Sequence, residues 1–292
     1  MAWLINAAQL DKFRKNQKNL IILDASFHLG ERNARQEFLD KHIIDAHFLD
    51  VDIFSDPNPD AAHPHMLIHD EQRISELVSS LGIRNDYKII FYDNSELHTA
   101  ARALWQFKMF GHDSNLLYIL DGGFKAWEKF GGKTESGQPT VTSKAYTARF
   151  KPEFLRTLTQ IKNNFATPSE QIVDVRHAVR YSGGAEPRAG VRRGHIPGAY
   201  CFPTISMFDK EGNFLPLEKI RKKLIEIGIG LNSPIITTCG SGMTAPILNF
   251  LLDLMNYPQH GVYNGSWTEW GADRLFEGEN SLAERPVETC VD

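Results

Sequence analysis

The sequence predicts an α/β protein made of two like halves, each a mainly parallel sheet flanked by helices. Three observations carry this. Short apolar runs that end in a polar residue or a turn (IILD, IIFYD, LLYILDG, QIVDV, PIITTC, GVYNG) read as buried strands. Segments with apolar residues at helical spacing stand between them, among them EQRISELVSSLGI and LEKIRKKLIEIGI, each running into a glycine suited to stop a helix. Strands that alternate with helices in this way are most economically joined as a parallel sheet. Third, four landmarks recur in order. Asp24 matches Asp174, each closing an apolar run, and His42 in KHIIDA matches His195 in GHIPGA. Asp93 matches Cys239, and DGGFKAW (121–127) matches NGSWTEW (264–270). The separations are 150, 153, 146 and 143 positions, the slow drift of two copies of one domain.

The opening MAWLINAAQLDKFRKN reads as the first helix of a domain, without a charged n-region ahead of an apolar stretch, so no secretory signal is expected. The stretch SGQPTVTSKAYTARFKPEFL lacks helical period and carries Gly and two Pro, as an extended linker would. The expected organisation is an N-terminal domain over 1–138, a linker over 139–155 and a C-terminal domain over 156–292.

The 292 residues are 42% hydrophobic and 23% charged, enough apolar material for two ordinary cores. The net charge of −4 excludes a basic nucleic-acid footprint or a polybasic membrane patch. No apolar run approaches the roughly 18–20 residues of a membrane span. Three cysteines, Cys201, Cys239 and Cys290, are odd in number and far apart with no CxxC. That excludes a disulfide framework and a Cys-rich zinc site, and it points to a reducing compartment, the cytoplasm.

One loop can do chemistry. A strand over 235–238 runs into Cys239-Gly240-Ser241-Gly242-Met243-Thr244, and a helix follows with Pro246 in its first turn, where a missing N–H is harmless. Gly240 and Gly242 can take positive φ and turn backbone N–H groups inward. Such a nest beside a helix N-terminus favours a negative atom, and a thiolate placed there has its pKa lowered. The first half has Asp93 at that position and no glycines. A carboxylate cannot serve as a sulfur nucleophile, so the first half is expected to be silent. A phosphatase loop would need an Arg six positions after the cysteine to fork the phosphate, and Ala245 stands there. Cys201, between Tyr200 and Phe202, reads as a core residue, and Cys290 as exposed.

The duplicated layout, GHIPGA, CGSGMTA and NGSWTEW together resemble the two-domain sulfurtransferases of the rhodanese superfamily, over essentially the whole chain. The resemblance implies tandem rhodanese-like domains with the nucleophilic cysteine in the C-terminal copy. Thiosulfate-using members carry cations just after the cysteine, whereas the mercaptopyruvate type has CG[S/T]G, and Cys239-Gly240-Ser241-Gly242 is similar to the latter. Charge agrees: with no Lys or Arg in the loop, a dianion beside a thiolate is poorly compensated. The family's substrate arginines map to Arg180 and Arg188, with Gly240, Gly242, Met243 and Thr244 lining the loop. Its proton-handling triad maps to Ser241, His65 and Asp52, with His63 and His69 as alternatives for the histidine. Arg192 and Arg193 are adjacent alternatives for the arginine pair but read as surface charges, and His195, like His42, reads as a structural residue at a turn.

The implied activity is transfer of the sulfane sulfur of 3-mercaptopyruvate through a Cys239 persulfide to a thiol or cyanide, releasing pyruvate, with no cofactor and no metal. The implied partners are a small-molecule sulfur donor and a thiol acceptor such as thioredoxin or a small thiol. A monomer is expected. Two other readings stay open. One is a thiosulfate sulfurtransferase of the same fold, and the other is a non-catalytic module for sulfur relay or partner binding.

Overall fold

The computed structural model describes residues 3–230, 232–257 and 259–290. The chain forms two compact units. The first runs to Phe54, resumes over Ile68–Lys151 and takes in Phe208–Phe214; the second holds Ser55–Leu67, Pro152–Met207 and the chain from Leu215 onward.

In the first unit, β1 (Trp3–Ile5), β2 (Leu20–Asp24), β4 (Ala46–Phe48), β5 (Lys88–Tyr92) and β6 (Leu117–Leu120) form one sheet in the order β1-β6-β5-β2-β4. Every pairing in it is parallel. β3 (His42–Ile43) pairs antiparallel with β7 (Thr134–Glu135). The helices are α1 (Ala7–Asn16), α2 (Ala34–Asp40), α3 (Glu71–Ser80), α4 (Ala100–Met109) and α5 (Gly123–Phe130). The opening residues thus differ from expectation. Trp3–Ile5 is an edge strand, and the helix begins only at Ala7, where Asn6 and Gln9 close a capping box.

The second unit repeats this plan. Its sheet is β10-β9-β11-β12-β8, all parallel, from β8 (Leu155–Arg156), β9 (Gln171–Asp174), β10 (Tyr200–Cys201), β11 (Ile235–Thr238) and β12 (His260–Tyr263). Its helices are α6 (Leu158–Ala166), α7 (Ala178–Tyr181), α8 (Leu217–Glu226), α9 (Ala245–Leu254) and α10 (Ser266–Trp270). Read from the opposite edge, the order matches that of the first sheet strand for strand. α6 opens with the same device as α1, a capping box of Thr157 and Gln160. The stop glycines after α3 and α8, Gly82 and Gly228, both hold positive φ (+76° and +95°).

Each core is closed by tryptophan. Trp127 in the first unit and Trp267 and Trp270 in the second are fully buried. Each indole N–H reaches a backbone carbonyl, of Lys133, Arg192 and Pro286 respectively. The paired histidines take equivalent places. Nδ1 of His42 meets the Phe38 carbonyl and its ring stacks on Phe38, while Nδ1 of His195 meets the Tyr181 carbonyl and its ring stacks on Tyr181. The extended stretch after Gly137 lies along the first unit, with the amides of Lys144, Tyr146 and Ala148 bonded to Ser79 and Ser75 on α3. Among the described residues, no helix is long and apolar enough to cross a membrane.

Candidate active site

Cys239 follows β11 directly and is buried, 1% exposed. Its Sγ accepts the amide N–H groups of Gly242 at 3.2 Å and Thr244 at 3.4 Å. Burial works against ionisation. The hydrogen bonds from the Thr244 side chain and from the amides of Thr244, Ala245 and Ser241 outweigh it and hold the thiol below its ordinary value. Gly242 sits at φ +84°, which a side chain would strain, and that turn is what points its N–H at the sulfur. Gly240 matters for a different reason. It is not in the left-handed region; instead, a Cβ there would lie 3.1 Å from Arg188 Nη1 and 3.4 Å from Arg180 Nη1. Met243 and Ser241 are buried in the same loop.

The loop hangs on α10. The carbonyls of Cys239 and Gly240 accept the N–H groups of Trp267 and Thr268, and the Cys239 N–H goes to Ser266 Oγ at 3.1 Å. Ser266 Oγ also stands 3.8 Å from Cys239 Sγ and donates to the Tyr263 carbonyl. Ser266 holds φ +52°, a region that L-residues avoid at a cost of about 1–2 kcal/mol. At the matching position the first half has Gly123, at φ +55°. The strained serine is tied to the cysteine, and sequence reading missed it. The alignment of NGSW with DGGF, which sets Ser266 against Gly123, was its only signal.

Two arginines border the loop, held by one carboxylate. Arg180 gives Nη2 and Nε to Glu186 (2.7 and 3.3 Å), and Arg188 Nη1 lies 3.6 Å from the same group. Arg188 Nη2 reaches Ser241 Oγ at 3.4 Å. Glu186 is itself buried, with Arg176 Nη1 at 3.9 Å. Arg176 is committed elsewhere: it forks onto Asp174 and lies over the Trp267 ring.

The histidines divide. His65 belongs to the second unit, and its backbone carbonyl accepts Asn264 Nδ2 at 3.0 Å. His63, in the same segment, sits between Asp60 (3.1 Å) and Glu269 (3.0 Å). The Glu269 hydrogen bond outweighs burial and raises its pKa. His69 belongs to the first unit, with its ring against Phe150. Asp52 is also in the first unit, in the turns after β4, where its N–H meets the Asp50 carboxylate. Among the described residues, no three His, Cys, Asp or Glu side chains group as a metal site requires.

Three expectations need correction. Cys201 is half-buried at the end of β10 rather than in the core, though burial still pushes its thiol up to about 11. Arg192 is not a surface charge. It donates to the carbonyls of Gly271, Trp270 and Arg285 and pins the chain beyond α10. Positive φ in the loop is needed at Gly242 alone, not at Gly240.

In the first unit Asp93 takes the cysteine's place. Its carboxylate accepts the N–H groups of Ala100 (2.8 Å) and Ser95 (3.1 Å), and its carbonyl accepts Phe124 N–H as that of Cys239 accepts Trp267. Complete burial pushes its pKa up to about 7. Between the ordinary carboxyl value and 7 the folded state keeps a proton that the unfolded chain has lost, so stability falls as pH rises through that interval. Asp24, buried nearby and raised to about 6, adds to the same trend. Asp93→Asn removes Asp93's share. In urea titrations between pH 4.5 and 7.5 the variant should lose less stability than the parent, by on the order of 2 kcal/mol.

The rhodanese-like domain family matches the chain twice, over residues 6–130 and 157–273. The chain belongs to the rhodanese-like family. The chain is 35% identical to a 3-mercaptopyruvate sulfurtransferase of Rattus norvegicus, across 90% of this chain and 89% of the relative. It is 37% identical to a mitochondrial thiosulfate/3-mercaptopyruvate sulfurtransferase of Arabidopsis thaliana, across 87% and 72%. Among solved structures, SseA of Escherichia coli, described as a 3-mercaptopyruvate sulfotransferase, superposes with a TM-score of 0.81. That match has 30% identity and covers 91% of this chain and 99% of that one. The rhodanese-like chain is therefore a transferase of the sulfurtransferase kind, and its two sheets are the family's two domains.

Proposed function

We propose that this chain is a 3-mercaptopyruvate sulfurtransferase working through a persulfide on Cys239. The observation that carries the reading is a buried sulfur that accepts two amide N–H groups in a loop without Lys or Arg. The thiolate attacks the sulfur of 3-mercaptopyruvate, an S–S bond forms, and the substrate's C–S bond breaks. The electron pair leaves as the enolate of pyruvate, which takes the proton of the substrate thiol and becomes pyruvate. The loop amides then stabilise the persulfide anion. In the second half-reaction an acceptor thiolate, or cyanide, attacks the outer sulfur and Cys239 returns as thiolate.

Arg180 and Arg188 hold the substrate carboxylate, and Gly240 leaves room for their guanidinium groups over the loop. Gly242, Met243 and Thr244 complete the donor's seat. Ser241, with His65, moves the proton from sulfur to the enolate. The physiological acceptor is a reduced thiol, thioredoxin or a small one, and the enzyme is a cytoplasmic monomer.

Arg188→Ala tests the clamp. Losing one charged hydrogen bond of about 1.5–3 kcal/mol should lower kcat/KM for 3-mercaptopyruvate by roughly 10–100-fold, mainly through KM. Thiosulfate use, measured with cyanide as acceptor, should fall less, and equal losses on both donors would remove the clamp.

A further inference from the structure

Glu186 is an acid with a buried side chain, in the loop that also holds two arginines of the site. Its side chain is only 3% exposed, and three guanidinium groups converge on it: Arg180 at 2.7 Å, Arg188 at 3.6 Å and Arg176 at 3.9 Å. The geometry around it is specific. It takes Nε and Nη2 of Arg180, which leaves Nη1 as the free edge, and Nη1 is the atom that lies against Gly240. It also accepts the backbone N–H of Arg188, fixing the chain where that side chain departs toward Ser241. Arg176 is neutralised by its fork on Asp174. Within this cluster three arginines stand against two carboxylates, a net of one positive charge.

We propose that Glu186 is the positioning and specificity-determining residue for the sulfur donor: it aims Arg180 at the cysteine loop and trims the arginine pair to the single positive charge that suits a monoanionic donor over a dianionic one. The proposal deepens the reading above and rests on its arginine clamp. A singly charged α-keto acid balances one net positive charge. A dianion such as thiosulfate leaves one negative charge uncompensated beside a thiolate, in a buried site where water screens it poorly. Removing the carboxylate's charge raises the wall to two positive charges and lets the Arg180 fork swing.

The test compares Glu186→Gln and Glu186→Asp with the parent, measuring kcat/KM for 3-mercaptopyruvate and for thiosulfate with cyanide as acceptor. Glu186→Gln should lower kcat/KM for 3-mercaptopyruvate about tenfold, through KM, while thiosulfate use holds or rises, so that the donor ratio shifts tenfold or more. Glu186→Asp keeps the charge but draws the fork back by one methylene. It should raise KM for 3-mercaptopyruvate about threefold and leave the donor ratio near the parent's. If Glu186 were only scaffolding, Glu186→Gln would lower both donors by the same factor, and that result, or no change in either donor with Glu186→Gln, overturns the proposal. Should Glu186→Gln fail to fold, Glu186→Ser, which admits water to the freed guanidinium groups, is the second neutral variant. Glu186→Asp tests the aiming role by itself, and an unchanged KM there refutes it. Arg188→Ala separates the two ideas. If it leaves the 3-mercaptopyruvate KM unmoved, the clamp itself is wrong; if it raises KM while Glu186→Gln leaves the donor ratio in place, only the role of Glu186 falls.

Discussion

Cys239→Ser abolishes sulfur loading. After treatment with 3-mercaptopyruvate, intact mass of the parent should show one added sulfur of about 32 Da that a thiol reductant removes, and the variant should show none. Pyruvate release should fall by at least about a thousandfold, because a serine hydroxyl at the same point is neither ionised nor able to hold a sulfane sulfur. The fold should tolerate the exchange, since the Gly242 and Thr244 amides that face Sγ can face a hydroxyl. Release at the parent rate would take Cys239 out of the reaction. Failure of the parent itself to gain mass would favour a non-catalytic binding module.

Arg285→Ala is the substitution expected to harm stability most. Arg285 is fully buried, and its guanidinium spans six acceptors. Nη1 reaches the carbonyls of Glu269, Trp270 and Ala272; Nη2 reaches the Arg274 carbonyl and Glu279; Nε completes the fork on Glu279. Glu279 is held down at about 2 against its burial by Arg285 and Lys162. Truncation takes a donor from four carbonyls at once and leaves Glu279 to Lys162, which costs about 3–5 kcal/mol. In thermal unfolding this should read as a fall in Tm of about 10 °C. The harm should also reach the site, because Glu269 and Trp270 end the helix from which the Cys239 loop hangs. Sulfur loading should therefore weaken at temperatures where the variant is still folded. A variant as stable as the parent would show that the carbonyls are satisfied without the guanidinium.

Most of the architecture could be read from the residues, because the two copies check one another. Apolar runs ending in Asp24, Asp174 and Cys239 became β2, β9 and the strand before the loop, and both histidines of the paired turns stack as one residue type in one place. The turn at Cys239 was legible for a local reason: strand, Gly-x-Gly and Pro-started helix are adjacent in the chain. What stayed hidden depends on long-range contact. Glu186 reads as a surface acid until Arg176, Arg180 and Arg188 are seen around it. The pairing of His63 with Glu269 joins residues 206 apart. Arg192 and Arg285 look like solvated charges, since nothing in a sequence tells which arginine will serve backbone carbonyls inside the protein. Trp3–Ile5 is too short to show a period, and it becomes a strand only because β6 offers it an edge.

The two units do not divide where the chain's duplication divides. Residues Ser55–Leu67 from the first half are built into the second unit, and Phe208–Phe214 from the second half into the first. Phe208 lies flat on the His98 ring and Phe214 gives its N–H to Asp121; Asp60 and His63 take Arg274 and Glu269. A ribosome therefore releases the whole leading half before the piece that finishes its own globule exists. Splitting the gene between the repeats would yield two polypeptides, each missing a segment that the intact chain supplies to its globule.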